Sequence, residues 1–109
     1  MSLTTTGAGA NADGTAIPPF NTVPPLVTGT PQQGQQLSST MGTWLRATVF
    51  TYQWQRSADG ISWSNIALAT SQKYVLKVAD VGKYVRSVVT AANGGGSTSA
   101  NSNSVGPIT

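Results

Sequence analysis

The sequence contains no cysteine, no histidine and no glutamate, and its carboxylates are Asp13, Asp59 and Asp80. Without cysteine it has neither a disulfide nor a thiolate site. Without histidine or glutamate, acid–base catalysis and metal binding would depend on three isolated aspartates. Asp59 and Asp80 also fall in predicted turns, where aspartate accepts hydrogen bonds from nearby backbone N–H groups. We therefore expect no enzymatic activity, no metal and no cofactor.

Charge is scarce as well. Charged residues make up 8% of the chain, against about 25% in an ordinary soluble domain. The net charge of +3 comes from cations that are dispersed along the sequence with no two adjacent. Recognition of phosphates requires clustered lysine and arginine. We therefore expect no nucleic-acid partner.

Long apolar runs are absent too. No stretch reaches the roughly 20 apolar residues of a membrane span. The first residues, "MSLTTTGAGANADGTA", lack the basic and apolar regions of a signal peptide. We expect a chain that folds in a cytoplasm and has no membrane partner.

Residues 1–25 differ in composition from the rest of the chain. They are small, polar and then proline-rich, with too few apolar groups to offset the entropy of ordering. This predicts an extended N-terminal arm that docks on another protein, with Ile17, Phe20 and Val23 as apolar anchors. Residues 26–109 are predicted to form the folded domain.

The domain has the pattern of an all-β fold. Short apolar segments recur at intervals near ten residues, separated by glycine, proline and aspartate turns, and no segment has helical periodicity. About seven strands are predicted, which favours a β-sandwich. The segments are "LVTGT", "QQLSSTM", "VFTYQWQRS", "ISWSNI", "KYVLKV", "KYVRSVVTAA" and "STSANSNSV".

Aromatic residues alternate in the third of these strands. Phe50, Tyr52 and Trp54 share one face, and they form either a core or an aromatic binding surface. A small sandwich without disulfides needs that apolar area, so the core is the preferred interpretation. The positions of Trp44 and Trp63 stay open. The predicted core residues are Leu37, Phe50, Tyr52, Trp54, Val85 and Val89.

The segments "YQWQRSADGISW", "ADVGKYVRSVV" and "GGSTSA" together resemble the bacterial and bacteriophage immunoglobulin-like repeat, over about residues 24–108. The resemblance implies an immunoglobulin-like sandwich with Trp54 as the core tryptophan of the third strand. It also implies that Asp80, Gly82 and Tyr84 form the corner before the sixth strand.

The sixth strand departs from that pattern, because Arg86 occupies a position that holds a buried core residue in the family. A shift of one residue directs Val85, Ser87, Val89 and Ala91 inward, which is the more apolar set. We therefore predict that Arg86 points outward, which weakens the role of Tyr84 as a corner tyrosine.

Three kinds of function are compatible with such a domain. The resemblance implies a structural virion protein, a carbohydrate or cell-surface binder, or a fragment of an exported repeat adhesin. An N-terminal methionine without an export signal favours the virion, which assembles in the host cytoplasm. We expect a capsid decoration protein bound to the major capsid protein. The alternatives are a tail or fibre component and a module that binds host surface glycans.

Overall fold

The computed structural model describes residues 17–109 as strands joined by turns, and every pairing between these strands is antiparallel. The all-β prediction is confirmed. A short 3-10 turn, Val78–Asp80, precedes the longest strand. The strands are β1 (Phe20–Val23), β2 (Val27–Thr28), β3 (Gln36–Ser39), β4 (Thr43–Leu45), β5 (Val49–Ser57), β6 (Ser64–Asn65), β7 (Lys73–Val75), β8 (Tyr84–Asn93) and β9 (Gly96–Asn101).

The strands form three sheets. Their orders are β2-β3-β7, β6-β5-β8-β9 and the two-stranded β1-β4, which we call the β1–β4 ribbon. Seven of the strands correspond to the predicted segments. The ribbon supplies two more that were not predicted, so the strand count differs from the expectation.

The two larger sheets face each other across one apolar core, as expected for a β-sandwich. Leu37 and Tyr74 contribute from the first sheet, and Trp54 and Val85 from the second. The rings of Trp54 and Tyr74 stack with centroids 5.6 Å apart. Leu37, Trp54, Val85 and Val89 are all fully buried, as predicted.

Phe50 and Tyr52 are half-buried rather than part of that core, which corrects their predicted placement. They lie on the same face of β5 as Trp54, but β5 has nine residues whereas β3 and β7 have four and three. The shorter sheet cannot cover the whole strand. Phe50 instead packs edge-to-face against Trp44, with centroids 6.4 Å apart.

The orientation of β8 agrees with the shifted register. Val85, Ser87, Val89 and Ala91 are fully buried, whereas Arg86 lies half-buried on the opposite face. Because side chains alternate along a strand, burial of the first set places Arg86 on the outer face of the sheet.

Part of the predicted N-terminal arm, within residues 17–25, is paired with its own domain. These residues were expected to have little contact with their own domain, yet Phe20 pairs with Leu45 and Asn21 with Trp44 in the β1–β4 ribbon. Prolines flank this strand, but Phe20–Val23 contains no proline, so each of its residues keeps a backbone N–H that can pair. Residues 1–16 of the predicted arm lie outside the described part of the chain.

Candidate functional site

The outer face of the β1–β4 ribbon carries large apolar side chains. Phe20 and Leu45 are direct cross-strand partners, so their side chains lie side by side on one face. They are 57% and 48% exposed. The opposite face carries Trp44, whose indole Nε1 donates to the Met41 carbonyl at 2.7 Å and whose ring packs on Phe50. The ribbon is therefore held on the domain by Trp44 and presents Phe20 and Leu45 outward.

An apolar groove of about 480 Å³ adjoins the ribbon. Val23, Leu26 and Met41 line it, and all three are more than 40% exposed. Gly42 turns the chain into β4 with φ of +79°, and a Cβ at this position would collide with the Val23 carbonyl. We call Phe20, Val23, Leu26, Met41 and Leu45 the apolar end.

The segment that leads into β1 is held by hydrogen bonds to the β8–β9 hairpin. The side-chain amide of Asn93 donates to the carbonyl of Ile17 at 2.8 Å and to that of Arg46 at 2.7 Å. These two bonds fix the chain just before β1 against the β8–β9 hairpin. Of the predicted anchors, Ile17 is half-buried at this point, whereas Phe20 and Val23 are exposed on β1.

A second surface lies on the outside of the β6-β5-β8-β9 sheet. The guanidinium of Arg86 sits 4.4 Å from the centre of the Trp63 ring, and its Nε donates to Gln55 Oε1 at 2.9 Å. Gln55 in turn donates to Asn65 Oδ1 at 2.9 Å. Partial burial lowers the pKa of Arg86. We call Gln55, Trp63, Asn65 and Arg86 the polar sheet face.

Asp80 plays a part that the sequence did not reveal. It was interpreted as a turn residue that accepts bonds from the nearby backbone, and its side chain is in addition fully buried. It accepts hydrogen bonds from Arg56 Nε at 2.5 Å, from the Tyr74 hydroxyl at 2.6 Å and from the backbone of Lys77 at 2.8 Å. Burial, together with the bond to Asp80, raises the pKa of Tyr74 to about 12. Every polar atom of the carboxylate is used, so this cluster is structural.

The predicted role of Asp59 in its turn is confirmed as well. Its Oδ1 accepts from the backbone of Ile61 at 2.8 Å and of Ser62 at 2.9 Å, and from the Ser57 hydroxyl at 3.0 Å. The two bonds from the backbone, followed by the one from Ser57, hold its pKa below the usual value.

Residues 17–109 contain no group of three acidic, histidine or cysteine side chains that could hold a metal ion. No helix in this same range is long and apolar enough to cross a membrane. The apolar end and the polar sheet face are the candidate contact surfaces of this range.

Fold and surfaces together define an antiparallel β-domain with an apolar end formed by its first strand and the turn into β4. A family model described as a domain of unknown function, DUF8696, matches residues 21–107. The chain belongs to this family. No curated protein matches the chain. The family match begins within β1, so it treats the ribbon as part of the domain.

Proposed function

We propose that this chain is a non-enzymatic structural protein of a bacteriophage virion, most specifically a capsid decoration protein. The resemblance of its strand and turn motifs to phage immunoglobulin-like repeats supports this proposal. So does a composition without histidine, cysteine or glutamate, which suits a protein that binds rather than catalyses.

The observation that carries the proposal is the apolar end. Two large side chains, Phe20 and Leu45, are displayed together on a ribbon whose other face is fixed to the domain. Contiguous exposed apolar area of this kind marks a contact with another protein. The main partner in the proposal is the major capsid protein, and a tail protein is the alternative.

The ribbon is also suited to attachment because it is preformed. Strand pairing between β1 and β4, and the two bonds from Asn93, fix the position of Phe20 before any partner arrives. Preformed contacts lose less conformational entropy on binding than a free arm would. Attachment through the ribbon leaves the polar sheet face free to meet the surroundings of the particle.

The experiment is fractionation of purified particles of the parent phage. Particles are disassembled into heads and tails, and the protein is quantified in each fraction by mass spectrometry. Many copies in the head fraction support decoration, and recovery with tails supports the tail alternative. A protein found only in the unassembled fraction of the lysate contradicts both.

A second candidate function is recognition of a host surface glycan, and the polar sheet face favours it. Trp63 offers an aromatic ring, and Gln55, Asn65 and Arg86 surround it with hydrogen-bonding groups. Aromatic rings flanked by amides are suited to sugar rings, which have apolar faces and polar edges. A glycan array with wild-type protein and Trp63→Ala tests this, and an absence of binding by the wild type rejects it.

A further inference from the structure

Leu68 has an unusual combination of exposure and backbone conformation. Its side chain is 98% exposed, and its φ is +63°. A leucine in the left-handed region is strained, and glycine or asparagine would occupy this position at lower cost. Exposing an apolar side chain from a strained position gives no stability to the isolated domain.

The turn that carries Leu68 is held firmly. The backbone N–H of Trp54 donates to the Ala69 carbonyl at 2.9 Å, and the Trp54 indole donates to the Ser71 carbonyl at 2.7 Å. The Gln53 side chain donates to the Ile66 carbonyl at 2.9 Å. Bonds on both sides of Leu68 therefore fix the direction in which its side chain projects.

A strand edge lies across a groove from this turn. The groove has a volume of about 260 Å³ and runs between Leu68 and β7. β7 is the last strand of its sheet in the described part of the chain. Leu76 and Gln72 hydrogen-bond to the β3 side, so alternation directs the N–H and C=O groups of Lys73 and Val75 toward the opposite, free edge.

The groove is lined by apolar, hydroxyl-bearing and cationic side chains. Val75 is 48% exposed, and Lys73 and Lys77 line the groove beside it, with no acidic residue in the lining. The exposed carboxylate of residues 17–109 is Asp59, because Asp80 is fully buried. From this range a second copy of the chain would offer one exposed aspartate side chain for two lysines, so a more acidic segment is the better match.

We propose that this groove binds an extended, acidic segment of another protein, which adds a strand to the free edge of β7. Backbone hydrogen bonds to Lys73 and Val75 hold the segment. Its carboxylates pair with Lys73 and Lys77, and an apolar side chain between them packs against Leu68 and Val75. The proposal does not rest on the virion function, since none of these residues belongs to the apolar end.

The test uses the full chain and an acetylated, amidated hexapeptide, Glu-Thr-Val-Thr-Glu-Thr, in which the valine lies between the two glutamates on one face of the extended chain. Backbone amide shifts are followed by NMR during a titration at low salt. The expected shifts are concentrated at residues 67–77, and a matched hexapeptide with lysine in place of glutamate causes none. Binding to Leu68→Asn is expected to be at least tenfold weaker, while its Tm equals or exceeds that of the wild type because the turn strain is relieved.

A double variant, Lys73→Gln with Lys77→Gln, is expected to bind at least tenfold more weakly, whereas Lys83→Gln, which removes a charge elsewhere, binds normally. Equal binding of both hexapeptides, or shifts outside the groove, overturns the proposal. Binding that is seen only after deletion of residues 1–16 also overturns it, because the chain's own segment would then be the occupant.

Discussion

The hydroxyl of Tyr74 donates a 2.6 Å hydrogen bond to Oδ2 of Asp80, whose other oxygen accepts from Arg56. Tyr74 belongs to β7 and Arg56 to β5, so the buried carboxylate joins the two facing sheets. The backbone of Lys77 completes its set of donors. One aspartate thus fixes the relative position of the sheets at the end of the molecule where β8 begins.

Removing this carboxylate is expected to destabilise the fold severely. Asp80→Ala leaves Arg56 and the Tyr74 hydroxyl without their acceptor, and loss of one partner of a buried ion pair costs about 3–5 kcal/mol. Urea denaturation measures the difference in unfolding free energy. Asp59→Ala is the matched control. It is expected to lose less unfolding free energy, because Asp59 lies in an exposed turn. Equal losses for the two variants would remove the central role of Asp80.

Stability is expected to fall at high pH through Tyr74. Its folded pKa of about 12 lies above the unfolded value of 10.0, so the folded state disfavours the charged form. The contribution of Tyr74 is therefore complete below pH 10 and is lost as the pH rises toward 12. Tm is measured from pH 8 to 12 for wild type and Tyr74→Phe. The variant should lose less stability over this range, and parallel curves would contradict the assignment.

Trp54 is expected to contribute more stability than any other aromatic residue of the core. Its ring is fully buried and stacks on Tyr74, and its indole binds the Ser71 carbonyl. Trp54→Ala should cost about 3–5 kcal/mol. Trp63→Ala serves as the control, since Trp63 is only half-buried on the polar sheet face. A larger loss for Trp63 would mean that the core is misplaced.

Arg86 is expected to have a modest effect on stability. The outward register alone predicts almost no cost, but the contacts with Trp63 and Gln55 raise the expected loss for Arg86→Ala to about 0.5–1 kcal/mol. Trp63→Ala in the Arg86→Ala background should add little if the stacking is the main contact. Strictly additive losses would indicate that the two side chains act independently.

The strands and their facing residues could be predicted because they depend on local alternation, as with Trp54 on β5 and Val85 on β8. The roles of Asp80 and Leu68 could not. The partners of Asp80 come from β5 and β7, and nothing local distinguishes a buried turn aspartate from an exposed one such as Asp59. The β1–β4 ribbon was missed for the same reason, since Phe20 pairs with a residue that follows two intervening strands.

The binding of purified protein to particles that lack it tests the central claim most directly. Four proteins are each sedimented with such particles. They are the wild type, a deletion variant that retains residues 17–109, a Phe20→Ser, Leu45→Ser double variant, and Ile61→Ser. Ile61 is an exposed apolar control, at 81% exposure, and the deletion stops at residue 16 because β1 begins at Phe20. Attachment through the apolar end predicts that the double variant keeps its Tm but loses at least tenfold in affinity, while Ile61→Ser binds normally. Undiminished binding by the double variant would contradict the account.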